Sequence, residues 1–284
     1  MYTLENCAKE WEDAGKHGTV SERMERTKLW LPYYAHIAAQ QSGNPYTPSA
    51  SAERFVSELV RSGLLRPEDR VLDIGAGMGA YTLELAKHCR RVTALDPSKP
   101  CLDILMQRGK ACGLADRLEP VCGMWEDFPG EETFDLVITS MCPAICNPEE
   151  LRRMESLARR GCCIITVMRG SIDRHRSAMM AGLSIRPKGG MVTEAIHYYH
   201  ALYLMGRQPN VSCRTEKESY SIPEKTLLTQ YPIYFRIFGV EEEVSLPFLK
   251  QYLAQNEEGG GLLEESTIHY AMITWNTTHG GENA

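Results

Sequence analysis

Short continuous apolar runs alternate with stretches of helical periodicity through the middle of this chain. Arg70–Ile74, Arg91–Leu95, Leu118–Cys122, Phe134–Ser140 and Cys162–Met168 read as buried strands, apolar on both faces. Between them lie amphipathic segments. Ser51–Leu65 turns Phe55, Val56, Leu59 and Val60 inward, Tyr81–His88 follows the first strand, and a helix capped by Ser98 buries Leu102, Leu105, Met106 and Cys112. Asn147-Pro148-Glu149-Glu150 has a cap, a first-turn proline and two acids at the positive helix end, while Arg159, Arg160 and Gly161 are placed to close that helix. This alternation predicts a parallel sheet covered on both faces.

The flanks are less regular. Leu4, Cys7, Ala8, Trp11 and Ala14 share a helical face behind Thr3 as N-cap, and a second helix starts near Ser21, carries Met24, Trp30 and Leu31, and is expected to kink or end at Pro32. Tyr33, Tyr34, His36 and Ile37 follow, then the loop Ser42–Pro48. Beyond Met168, Thr193–Met205 reads as a helix and Val211–Glu218 as a strand. Ser221-Ile222-Pro223-Glu224 has the form of a capping box opening another helix, Leu246–Gln255 is helical, Glu257–Gly261 is a flexible loop and Thr267–Trp275 is a last strand. The tail from Asn276 is expected to be disordered.

The densest chemistry sits in Val71-Leu72-Asp73-Ile74-Gly75-Ala76-Gly77-Met78-Gly79. A strand that passes through so tight a turn into a helix needs residues without a Cβ, both for their dihedrals and for close approach of a ligand to the backbone. A second acid, Asp96, ends the next strand, where a carboxylate can accept both hydroxyls of a ribose. Gly75-x-Gly77-x-x-Ala80 also fits the loose dinucleotide pattern, so the glycines alone admit a nicotinamide or flavin. Asp73 argues against a diphosphate, because a carboxylate beside it is repulsive, and favours a ligand with a cationic group.

With these residues in view, the segment from about Arg66 to Met168 resembles the class I S-adenosylmethionine-dependent methyltransferases. Ala94-Leu95-Asp96-Pro97-Ser98 follows the glycine motif as in that family, Glu119–Phe128 resembles its adenine segment and Phe134–Ser140 its fourth strand. The resemblance implies an α/β, Rossmann-like, doubly wound seven-stranded and mostly parallel sheet of order 3-2-1-4-5-7-6. It also implies an N-terminal helical lid over residues 1–48, a methyltransferase domain over 49–276 with a helical insertion at about 220–265, and a disordered tail, 277–284. The alternative for the N-terminal segment is a helical pair that merely packs on the core. The cofactor implied is S-adenosyl-L-methionine, leaving S-adenosyl-L-homocysteine. Its methionine part would meet Gly75, Ala76, Gly77 and Gly79, its amino group Asp73, its ribose Asp96, and its adenine Pro97, Met124, Trp125 and Glu126, with Ser140 near the methyl group. Met124 departs from the family, which often has an acid there; Glu126 or Asp127 is then the expected acceptor, and Trp125 is otherwise a partly buried aromatic.

Composition narrows the rest. A formal net charge of −6 gives no support for wholesale nucleic-acid binding, and no apolar run approaches the ~18 residues that span a bilayer. The polar start is unlike a signal peptide, and ten scattered cysteines fit reduced thiols in a cytoplasm, without the paired spacing of a zinc site. The segment after the fourth strand, Ser140–Cys146, lacks the Asn/Asp-Pro-Pro-aromatic motif of enzymes that methylate exocyclic amines. Cys142 and Cys146 read either as a thiol pair for a soft substrate or as apolar loop cysteines, and His197 and His200 either as base or metal ligands or as packed side chains. Arg169, Arg174, His175, Arg176, Arg186 and Lys188 follow the fifth strand and are either part of an anion site or a solvated charged helix. The reading is an enzyme that methylates a small molecule, an anion if the cations after the fifth strand form a site, with Tyr34, Met141, Cys142, Arg174, His175 and Tyr198 as substrate candidates. No catalytic residue is singled out and no metal, nucleic acid or membrane is expected; a homodimer is the candidate assembly. The alternatives are a non-catalytic S-adenosylmethionine sensor or scaffold and an NAD(P)-dependent oxidoreductase.

Overall fold

A computed structural model describes residues 3–13, 19–186 and 192–277. Five parallel strands form its body: β1 (Arg70–Ile74), β2 (Arg91–Asp96), β3 (Leu118–Cys122), β4 (Phe134–Ser140) and β5 (Ala158–Asp173). Two long strands, β6 (Asn210–Pro223) and β7 (Gly261–Asn276), complete a seven-stranded sheet of order β3-β2-β1-β4-β5-β7-β6, as expected. β7 runs antiparallel to both of its neighbours.

Alternation along the central strands divides the apolar residues between the two faces. Val71, Leu136, Ile138, Cys163 and Ile165 join Phe55, Val56 and Leu59 of α3 (Ala50–Arg61), Leu83 and Leu85 of α4 (Ala80–His88), and Leu102 and Leu105 of α5 (Lys99–Ala111). Leu72, Ile74, Val137, Cys162 and Ile164 join Leu151 and Met154 of α6 (Pro148–Ser156) and Tyr198 and Leu202 of α8 (Ala195–Leu204). On this second face α1 (Leu4–Asp13) packs Cys7 and Trp11, with Trp11 edge-on to Tyr198 at 5.2 Å. The expected caps form: Ser98 and Asn147 accept from Cys101 and Glu150, and Thr3 Oγ1 accepts from Asn6 at 3.3 Å.

Several boundaries differ from the sequence reading, each for a tertiary reason. Helix α2 (Val20–Gln41) does not end at Pro32 but runs straight through it, opened by a capping box between Thr19 and Glu22. Proline there removes one helical N–H, and packing of Trp30 and Tyr33 against α9 (Glu224–Arg236) compensates. Helix α6 stops at Ser156, and Arg159, Arg160 and Gly161 belong to β5, because Gly161 pairs with Asn276 and Arg160 reaches back to Asp69. Ser221 caps nothing: β6 continues to Pro223, paired with β7, and α9 follows with no side-chain cap. Ala14, Lys188 and the tail beyond Thr277 lie outside the described residues.

Past the body of the sheet, β5, β6 and β7 extend as a long antiparallel arm. A satellite core gathers on it from α7 (Arg174–Gly182), α9 and α10 (Glu242–Asn256), through Met179, Leu227, Tyr231, Tyr234, Phe235, Leu249 and Leu253. α2 bridges from α5 to α9, and so crosses the carboxyl edge of the sheet.

Candidate active site

The glycine turn is built at the carboxyl end of β1, where strand order reverses between β2 and β4. Gly75 and Ala76 donate to Leu95 O at 2.8 and 3.0 Å, which ties the turn to the end of β2. Gly75 has φ +77, and a Cβ there would overlap Cys142 Sγ from the β4 loop. Gly77 has φ +54, but a Cβ there would meet nothing within 4 Å. Its freedom from side chains therefore leaves open space above the turn.

Two carboxylates frame that space. Asp73 is 1% exposed, Thr82 Oγ1 donates to its Oδ2 at 2.6 Å, and its Oδ1 is buried with no hydrogen-bond partner. Burial pushes its pKa up from 3.8 to about 7; Thr82 opposes this and the Asp96 charge adds to it. Asp96 accepts from Gly77 N and Ser98 N, each at 2.8 Å, through different oxygens. Burial raises its pKa and those two N–H groups hold it down. Each of its oxygens retains a lone pair for a further donor.

Gly123 donates to Asp96 O at 3.2 Å, bringing the next segment to the same edge. Pro97 and Met124 lie half-buried there. Trp125 and Glu126 turn the other way. Trp125 Nε1 donates to Glu150 Oε2 at 2.5 Å, its ring stacks on Phe128, and Arg153 sits 4.2 Å over it. Glu126 faces Arg23 of α2 at 3.7 Å, and Arg23 also reaches Glu150 at 2.7 Å.

The β4 loop closes the third side. Ser140 is half-buried, and Met141 follows with φ +48, a left-handed conformation unusual for a side chain of its size. Its N–H donates to Ile165 O at 2.8 Å and 38% of the residue stays exposed. Burial pushes the Cys142 thiol up to about 12, and the charges of Asp96 and Asp73 add to this. From above, Tyr34 of α2 is 37% exposed, yet its hydroxyl pKa is raised by burial and by Cys142, Tyr33 and Asp96. Cys142 of the β4 loop and Asp96 at the end of β2 thus lie within its electrostatic reach.

The remaining substrate candidates lie elsewhere. Tyr198 is buried on α8 and donates to Ile145 O at 2.7 Å, behind the β4 loop. His175 is turned into the satellite core, with Nδ1 2.9 Å from Tyr252 Oη, and Arg174 is exposed beside it. A depression of about 520 Å³ lined by Leu65, His88 and Arg117 lies at the opposite, amino-terminal edge of the sheet, away from the switch point. Sequence reasoning missed Thr82, Arg23 and Gln230, which donates to Tyr33 Oη at 3.1 Å. Only Thr82 had a local signal, a hydroxyl one turn after Gly79 among leucines; the others meet partners more than a hundred residues away.

This geometry agrees with comparison to known proteins. A family model described as a methyltransferase domain matches residues 71–161. Over those residues the chain carries a methyltransferase domain. Over 129 residues it is 30% identical to an uncharacterized methyltransferase of Staphylococcus carnosus, covering 45% of this chain and 57% of that one. Over 97 residues it is 35% identical to a mitochondrial ribosomal RNA small subunit methyltransferase of Arabidopsis thaliana, covering 34% of this chain and 25% of that one. The chain thus spans between a quarter and just over half the length of these relatives. Among solved structures, magnesium protoporphyrin IX methyltransferase from Synechocystis with bound SAH aligns with a TM-score of 0.52 at 12% identity, over 87% of this chain and 99% of that one. At that identity the methyltransferase likeness is one of fold.

The residues present fit S-adenosylmethionine, the cofactor of that domain. The orphan Asp73 Oδ1 suits an ammonium group, the space over Gly77 suits a ligand lying on the turn, and Asp96 can take a ribose diol. Among the described residues no group of three or more His, Cys, Asp or Glu converges as a metal site, and no helix is long and apolar enough to cross a membrane.

Proposed function

We propose that the chain transfers a methyl group from S-adenosylmethionine to a small molecule held between the glycine turn and α2. The desolvated carboxylate of Asp73 carries this reading: a buried acid with one oxygen left unpartnered at a ligand-binding edge calls for a cation. Gly75, Ala76, Gly77 and Gly79 would hold the methionine part, Asp96 the ribose, and Pro97 and Met124 the adenine. The cofactor supplies a methyl group already activated on a sulfonium, so the transfer breaks the sulfur–carbon bond, forms one bond to the acceptor and leaves S-adenosylhomocysteine.

The chain's own task is then alignment and exclusion of water. Ser140, Met141 and Cys142 stand where the methyl group would emerge, and Tyr34 closes the cleft above them. Tyr34 and Cys142 stay protonated at neutral pH, so neither removes a proton from the acceptor. The acceptor arrives deprotonated or loses its proton to water. Helix α2 acts as the lid. It is tied to α6 and the Trp125 turn by Arg23, to α9 by Tyr33, and to α5 by Gln41, which accepts from Arg108 at 3.2 Å. Closure on three sides favours a small acceptor over a polymer. Incubation with methyl-labelled S-adenosylmethionine and a panel of small acids, phenols and amines is expected to label one class. Binding of S-adenosylhomocysteine with no labelled product from small molecules would instead favour a sensor or scaffold.

A further inference from the structure

Helix α4 carries one hydroxyl that its apolar surroundings do not call for. The helix begins behind Gly79, which has φ +87 and lies so close to α5 that a Cβ would come within 2.8 Å of Leu105. Its third residue, Thr82, is turned into the core beside Leu83 and Leu85, and all three are fully buried. Thr82 is not a cap, since no side chain caps α4. A helical threonine can turn its hydroxyl back to the carbonyl four residues earlier, as Thr27 does to Arg23 at 3.1 Å and Thr229 to Lys225 at 2.8 Å. Thr82 instead reaches across to β1 and donates to Asp73 Oδ2 at 2.6 Å.

That contact divides the two oxygens of the carboxylate. Oδ2 has a donor, whereas Oδ1 is buried with no hydrogen-bond partner. An aspartate carboxylate turns easily about its terminal bond, so a donor fixed on a helix holds one oxygen in place and the other with it. Ala94 of β2 and Ile138 of β4, which flank Asp73 in the sheet, have no side-chain donor to offer. The titratable groups within electrostatic reach are Asp96 at the end of β2, Tyr81 of α4, Cys142 of the β4 loop and Cys163 of β5. Burial raises the phenol and both thiols, so these three are neutral at neutral pH, and Asp96 brings a like charge. Among the described residues, the Thr82 hydroxyl is therefore the hydrogen bond that favours the ionised form of Asp73.

We propose that Thr82 is a positioning residue for S-adenosylmethionine: its hydroxyl holds Asp73 Oδ2 and so presents Oδ1, ionised and unpartnered, to the amino group of the ligand. This rests on the cofactor reading above and adds the residue through which Asp73 is set. The test is calorimetric titration of the full chain with S-adenosylhomocysteine from pH 6 to 8.5, for the unaltered chain, Thr82→Val and Thr82→Ser. Valine keeps the shape and removes the donor, so the ionisation of Asp73 should move up by about one pH unit. Thr82→Val should then bind roughly tenfold more weakly at pH 6, with the deficit shrinking to about twofold by pH 8.5. Thr82→Ser, which keeps the hydroxyl, should regain most of the deficit. Carboxyl-carbon NMR of the ligand-free chain follows Asp73 directly, and its titration midpoint should rise in Thr82→Val. The proposal is overturned if the Thr82→Val deficit is equal at every pH, which packing alone would give, if Thr82→Val binds as the unaltered chain does, or if Thr82→Ser loses as much as Thr82→Val. Thr82→Ala removes the same donor and takes the place of Thr82→Val should that variant not fold. Failure of the unaltered chain to bind S-adenosylhomocysteine at any pH would be a failure of the cofactor reading instead.

Discussion

Asp73 shows how one residue can be costly to the empty protein and useful to the bound one. Its carboxyl is raised from 3.8 to about 7 by burial, so the folded, ligand-free chain holds a proton that the unfolded chain has released. The stabilising contribution of that protonation is complete below the unfolded value and is lost as pH rises through about 7. A bound ammonium group reverses the balance by stabilising the carboxylate. S-adenosylhomocysteine should therefore bind progressively more weakly as pH falls below about 7, by up to about tenfold per unit, with release of one proton. Its thermal shift should be larger at pH 8 than at pH 6. Asp73→Asn should bind at least about tenfold more weakly, show a flattened pH profile, and be the more stable protein at pH 8 when ligand-free. Calorimetry and thermal melts from pH 6 to 8 check this, and a pH-independent affinity would contradict it. The acid was legible in the sequence because it interrupts an apolar strand. Its degree of isolation was not, since that depends on Thr82 supplying a single donor and nothing reaching the other oxygen.

Helix α2 is the element on which sequence and structure part most clearly. Read locally, Pro32 is a stop; in the fold, Trp30 and Tyr33 pack against α9 on the far side of nearly two hundred residues, and the helix continues. The same distance hides the Arg23 contacts. That guanidinium sits between Glu126 and Glu150, both nearly buried, and joins α2 to the turn that follows β3. Arg23→Ala should cost about 1–3 kcal/mol of stability, because Glu150 keeps Trp125 and Arg153 while Glu126 loses its facing cation. If α2 gates the cleft, the same change should speed S-adenosylhomocysteine release several-fold with little effect on association. Stopped-flow fluorescence separates the two rates, and an unchanged dissociation rate would make α2 a packed helix rather than a lid. Elements set by local rules were read closely: Ser98 and Asn147 cap the helices they were expected to cap, and β1 and β4 have the boundaries their apolar runs give. Elements set by pairing were not. β5, β6 and β7 each run longer than their apolar cores because their polar ends pair with one another in the arm.

At the scale of the molecule, a regular sheet carries the glycine turn at its carboxyl edge and runs on into a long antiparallel arm. A parallel body covered on both faces followed from the alternation of short strands and helices, and the strand order followed from the family resemblance. The satellite core did not, since Tyr33, Met179, Tyr234 and Leu249 come from four elements that no local pattern links. The account stands on the open cradle over Gly77, so the most direct measurement is calorimetric titration of the full chain and of Gly77→Ala with S-adenosylhomocysteine and with NADH. An alanine at φ +54 strains the backbone by about 1–2 kcal/mol but meets no neighbour, so the variant should fold. The account predicts one S-adenosylhomocysteine per chain, binding lost or at least tenfold weaker in Gly77→Ala, and no NADH binding. Tight NADH binding, or S-adenosylhomocysteine affinity unchanged by the substitution, would contradict it.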